Sequence, residues 1–248
     1  MTNLTMTGTT VPRRREASDE RAMQGHILST YNSLRFGMGL MAALTPVIVV
    51  LWGYSFRIPW QDSISAYYFA PSGNQWIYSS YPCRVFFVGT LFALGSFLYL
   101  YKGFSKREDW ALNTAGICAV IVALFPMYAE TGYIPLSNDV HFGAAIVLFL
   151  CMAYTAIFRH DDTLKMIPEA GLRKRYKILY NIVGWFMALF PVLGLIAAMS
   201  LQSAQRETFW IEAAGIWAFA AYWFIKSHEL KTSQGDLKAA TGAMSRSA

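Results

Sequence analysis

Charge is scarce in this chain, and where it falls is informative. Only 15% of the 248 residues are charged while 55% are hydrophobic, too apolar a balance for an ordinary soluble domain. No charged residue falls in the middle of an apolar run, which leaves nothing for the intramembrane proton relays of pumps. Cysteine is nearly absent. Cys83, Cys118 and Cys151 show no CxxC or other ligand spacing, and the last two lie in apolar runs where a thiol behaves as a small hydrophobe, so no disulfide framework is implied. Histidine is as thin: His26, His160 and His228 fall on the side of the two chain termini, leaving His141 alone on the other, with no HxxxH or HExxH. Asp62, Glu130, Asp139, His141 and Glu212 could offer carboxylates around one imidazole, but a metal or a haem lacks its further histidines, so neither metal nor cofactor is expected. A GxSxG elbow, a phosphate-cradling loop and an internal repeat are also missing. Arg13, Arg14 and Arg15 precede Glu16, Ser18, Asp19 and Glu20 instead of an apolar core, so they form neither a Sec nor a twin-arginine signal, and insertion falls to the first membrane helix.

What is present is a series of apolar runs at about 37–54, 84–101, 110–128, 140–158, 178–200 and 209–225. Each is near the ~20 residues that cross a ~30 Å hydrocarbon core. The expected fold is an all-α integral membrane bundle of six transmembrane helices. Of 21 Lys and Arg, all but Arg57, Arg84 and Arg206 fall on the side of the two termini. By the positive-inside rule both termini are cytoplasmic, and the loops near 55–83, 129–139 and 201–208 lie outside. The net charge of +6 sits in short runs at span ends, where anionic headgroups attract it, so membrane lipids are the expected partners and nucleic acid is not. Residues 1–17 read as a disordered cytoplasmic tail, 18–229 as the membrane domain, and 230–248 as a flexible cytoplasmic tail. Ala111, Ala115, Ala119 and Ala123 form a small-residue stripe for close helix approach, within the bundle or against a partner chain.

Chemistry concentrates at the outer face. The loop at about 55–82 is long for a bundle and carries Trp60, Tyr67, Tyr68, Phe69, Trp76, Tyr78 and Tyr81. It reads either as an interfacial aromatic belt or as a lid over a pocket for an amphiphile. Glu212 opens the sixth span, where the helix dipole favours a carboxylate, and His141 near the start of the fourth is biased towards its neutral form. Arg84 and Glu130 are each disfavoured by their own helix. Arg84 is therefore expected to pair with a carboxylate, Glu130 first, then Asp62 or Glu212.

The leading reading is a lipid or small-amphiphile site built from Asp62, Ser63, Tyr67, Tyr68, Arg84, Glu130, His141 and Glu212. The alternative is a membrane-embedded lipid hydrolase with Ser63 or Ser65 as nucleophile, His141 as base and a carboxylate to orient it, which requires those groups within hydrogen-bond reach. A third is a structural or assembly subunit, or a homo-oligomer, using the alanine stripe.

Ser63-Ile64-Ser65-Ala66-Tyr67-Tyr68, Arg84 with Phe87-Val88-Gly89, Tyr101-Lys102-Gly103, Ala115-Gly116, Ala123-Leu124-Phe125-Pro126, His141-Phe142 and Phe209-Trp210-Ile211-Glu212 together resemble an uncharacterised family of bacterial six-helix integral membrane proteins over about residues 37–226. The order of polar outer loop, helical hairpin and His141 is also similar in topology to DRAM/FRAG-type membrane proteins. The resemblance implies a multi-pass protein of the bacterial inner membrane and supplies no activity. Alkaline-ceramidase-like membrane hydrolases are helical bundles with Ser, Asp and His too, but their zinc site uses several histidines where this chain offers only His141.

Overall fold

In hydrocarbon every backbone N–H and C=O must be bonded within its own segment, so apolar runs of this length become helices. The computed structural model of the chain describes residues 11–72, 81–127, 135–200 and 207–241, among which there is no strand. The long helices are α1 Val11–Ser55, α2 Pro82–Leu100, α3 Lys106–Leu124, α4 Pro135–Phe158, α6 Ala170–Ser200 and α7 Glu207–Ser233. Short ones are a 3-10 turn at Ser65–Tyr68, α5 Asp161–Leu164 and α8 Gly235–Ala240.

Five stretches, in α1, α2, α4, α6 and α7, are long and apolar enough to cross a membrane, consistent with a multi-pass helical membrane bundle. Helix α3 is not counted among them, because it opens on four charged residues, Lys106 to Asp109. The outward faces carry Leu51, Val85, Leu100, Trp110, Phe158 and Trp185, all exposed. Such a surface is tolerable only against lipid or another apolar phase.

The long helices close into a ring. Each packs on its neighbours in the order α1, α2, α3, α4, α6, α7, and α7 returns to α1. Because lipid tails are as apolar as leucine, close packing and not burial from water must hold such a ring, and small residues permit it. A Cβ on Gly95 of α2 would stand 2.8 Å from the Gly116 carbonyl oxygen of α3, and one on Gly116 would stand 2.6 Å from that of Gly95. The alanine stripe Ala111, Ala115, Ala119 and Ala123 is buried inside the ring.

Both ends are covered. At the end where α1 stops, Ile58 N–H donates to the Gly53 carbonyl and Arg57 N–H to that of Tyr54, each at 3.0 Å, with Arg57 at φ 58°. This is a Schellman closure, and it turns the chain back over the ring. Ile58, Ile64, Tyr67 and Ala70 then pack on Val49, Cys83, Phe87, Phe209 and Ala213 from the tips of α1, α2 and α7. Trp60 lies 4.5 Å from the Phe209 ring. At the opposite end α8 docks on α1 and α7.

Two boundaries differ from the sequence expectation. Helix α1 is already formed at Val11, ahead of Ser18. The stretch after Leu230 is helical to Ala240, because Asp236 forms a two-pronged ion pair with buried Arg35, at 3.0 and 2.5 Å.

Candidate functional site

The run Ser63-Ile64-Ser65 enters the 3-10 turn, and its free N–H groups are met by side chains. The Ser63 hydroxyl accepts the Ala66 N–H at 2.9 Å. Glu212 of α7 accepts the Ile64 N–H at 2.7 Å and also that of Ser65. By accepting both N–H groups, Glu212 fixes the loop to α7. Tyr67 anchors the turn from below. It is buried, its hydroxyl lies 3.5 Å from the Gln61 nitrogen, and its ring fills the space a Cβ on Gly53 would need. Burial pushes the Tyr67 phenol above its ordinary pKa.

This places Ser65 against His141. Ser65 Oγ and His141 Nε2 are 3.1 Å apart, and both residues are buried. His141 Nδ1 is 2.9 Å from the Phe125 carbonyl, one of the unpaired carbonyls at the end of α3. A carbonyl only accepts. In the neutral ring Nδ1 therefore carries the hydrogen, Nε2 offers a lone pair, and the Ser65 hydroxyl donates to it.

Below Ser65, His141 and Glu212 lies a cavity of about 160 Å³ in the centre of the ring. Its wall on α2 is Phe87, Thr90, Leu91, Leu94 and Leu98, one helical face that extends about 16 Å at ~1.5 Å per residue. Helices α1, α3, α4, α6 and α7 complete it with mostly apolar side chains. A dry apolar cavity of comparable volume holds a benzene-sized guest, so this space suits one hydrocarbon chain and not two.

The other expected residues are distributed around this centre. Asp62 and Asp139 are exposed. Glu130, Trp76 and Tyr78 lie outside the described residues, so the expected Arg84–Glu130 pair does too. Arg84 does not line the cavity. Its guanidinium sits 4.6, 5.0 and 4.4 Å from the ring centres of Tyr68, Phe69 and Tyr81, and its Nε donates to the Tyr68 carbonyl at 3.5 Å. No carboxylate among the described residues forms an ion pair with it. Cation–π contact offsets the misaligned dipole at the start of α2. Among the described residues, no three His, Cys, Asp or Glu side chains gather as a metal site would require.

A second polar cluster, at the opposite end, is not among the sequence expectations. Lys226 is 1% exposed, with Nζ 3.6 Å from Glu108 and 3.1 Å from the Thr163 hydroxyl. Thr163 and Tyr180 donate to Glu229 at 2.9 and 3.2 Å. Glu108 also accepts the Phe104 N–H at 2.8 Å, and Ser105 caps α3 by accepting the Glu108 N–H at 3.3 Å. Burial raises the Glu108 carboxyl above its ordinary range, against the opposing pull of Lys226. Two signals could have revealed the cluster. Ser105-Lys106-Arg107-Glu108 has capping-box spacing, and Tyr222, Lys226 and Glu229 fall on one face of α7.

Comparison with known family models, curated proteins and solved structures finds no match to this chain.

Proposed function

We propose that the chain is a six-span protein of the bacterial inner membrane, termini cytoplasmic, that binds one single-chain amphiphile from the outer side. The observation that carries the reading is the narrow apolar cavity ending on Ser65, His141 and Glu212 under the 58–70 loop. The chain of the ligand lies along the α2 face, and its headgroup meets the polar trio. The position of α3 between α2 and α4 supports counting it as the sixth span, since its neighbours on both sides are span candidates. The lopsided distribution of Lys and Arg supports the orientation, and the bacterial setting rests on the family resemblance. Purified protein should release a bound amphiphile on organic extraction. Ala145→Phe, which puts a ring into the cavity, should release several-fold less, and equal amounts from both would refute the reading.

A hydrolase reading has one specific observation in its favour, the 3.1 Å contact between Ser65 Oγ and His141 Nε2. In it the Ser65 proton passes to His141 as Oγ bonds to an acyl carbonyl carbon, and His141 returns the proton to the departing alcohol. The turn offers little to hold the resulting oxyanion, because the N–H groups of Ile64, Ser65 and Ala66 already have acceptors. A fluorophosphonate that labels wild type but not Ser65→Ala would establish the nucleophile, and no labelling would remove it. The alanine stripe is buried in the chain's own bundle, so it lends the assembly reading no support.

A further inference from the structure

The polar end of the cavity has a sense of direction. Starting from the Phe125 carbonyl, which can only accept, the hydrogens are assigned outward: His141 Nδ1–H donates to Phe125, and Nε2 accepts from the Ser65 hydroxyl. Ser65 is then left to present lone pairs. Thr45, which also lines the cavity, donates its hydroxyl to the Met41 carbonyl at 2.7 Å and presents lone pairs as well. Glu212 adds a carboxylate that already accepts the Ile64 and Ser65 N–H groups and keeps further lone pairs. Ser65, Thr45 and Glu212 thus face the cavity as acceptors, one of them a carboxylate, while the hydroxyls of Thr90 and Thr208, which also line it, can accept or donate. No Lys or Arg among the described residues lines it, and Arg84, the cation nearest in sequence to the α2 wall, is enclosed by aromatic rings elsewhere.

From this we infer that the site selects an amphiphile with a protonated primary amine on a single hydrocarbon chain, and rejects carboxylate and phosphate headgroups. The inference rests on the proposed amphiphile site and adds the headgroup class. An ammonium supplies hydrogens and no lone pairs, matching the acceptors that Ser65, Thr45 and Glu212 present. It also neutralises Glu212 in a low-dielectric space, where an anion would face a carboxylate with no Lys or Arg among the described residues lining the cavity. An ethanolamine phosphodiester carries its ammonium together with a phosphate, and the phosphate places it with the rejected anions.

The test uses the full chain in nanodiscs and diazirine probes of one chain length bearing an amine, an alcohol, a carboxylate, a phosphate or an ethanolamine phosphodiester, with crosslinks mapped to peptides of α2 and α4. In wild type the amine should label these peptides at least about tenfold more than any of the three phosphate- or carboxylate-bearing probes. In Glu212→Gln, which keeps an oxygen for Ile64 N–H, that preference should collapse while alcohol labelling persists, showing that the cavity is intact. Labelling by the carboxylate or phosphate probe equal to that by the amine overturns the headgroup inference while the amphiphile reading stands. Equal labelling by the ethanolamine phosphodiester overturns the exclusion of phosphate and makes a lipid headgroup the ligand. Failure of all five probes to label α2 or α4 overturns the amphiphile reading itself.

Discussion

Ser65 and His141 stand 76 positions apart in the chain, yet their side chains are joined by a 3.1 Å hydrogen bond that closes the 58–70 loop onto the head of α4. The bond links two structural duties, since the same imidazole satisfies the end of α3 through Phe125. His141→Ala leaves both partners without their bond. It should cost about 1–3 kcal/mol of stability and reduce extracted amphiphile several-fold, checked by thermal unfolding in nanodiscs and by mass spectrometry of the extract. Unchanged unfolding would mean that the loop is held by Glu212 and Tyr67 alone.

Asp236 joins α8 to the bundle through a guanidinium that is almost fully buried. Removing the carboxylate strands that charge, so Asp236→Ala should cost on the order of 3 kcal/mol and expose residues after Leu230 to protease. Limited proteolysis at unchanged rate would contradict it.

Glu108 supplies a pH dependence. Its carboxyl is raised in the fold by burial, so the folded state holds a proton that the unfolded chain releases first. The stability this group contributes is fully present below the ordinary carboxylate pKa and is lost as pH rises through the raised value. Unfolding temperature should therefore decline more steeply with rising pH above about 4.5 in wild type than in Glu108→Gln. Parallel profiles for the two proteins would show that Lys226 holds Glu108 ionised throughout.

The contact between Gly95 and Gly116 is backbone against backbone, and neither side can yield by changing rotamer. Gly95→Val should cost about 1–3 kcal/mol by forcing α2 from α3, whereas Gly89→Ala, where a Cβ meets nothing within 4 Å, should be silent. Equal effects in an unfolding assay would count against the close approach.

Legibility in the sequence tracks the physics of each signal. Helices are plain because hydrocarbon length and the absence of mid-run charge are local properties, and His141 is conspicuous because the other three histidines fall on the side of the two termini. Its partner is not, because Ser63 and Ser65 are equivalent by spacing until the turn points one at Ala66 N–H and the other at the imidazole. Arg84 stands out in the sequence as a cation in the wrong place for its helix. A carboxylate is the expected remedy, while three rings surround it, a solution invisible without the fold. Arg35 and Glu229 find their partners on α8 and α5, and Glu108 and Lys226 find each other across α3 and α7, so each pairing depends on segments far apart in sequence meeting at the end of the bundle.

If the ring holds one amphiphile beneath Ser65, a density map of the protein purified from its own membrane shows it most directly. The expected result is rod-like density along Phe87, Leu91, Leu94 and Leu98, ending within about 3.5 Å of Ser65 Oγ or Glu212. A cavity closed by inward-turned side chains, with nothing between those helices, would contradict it.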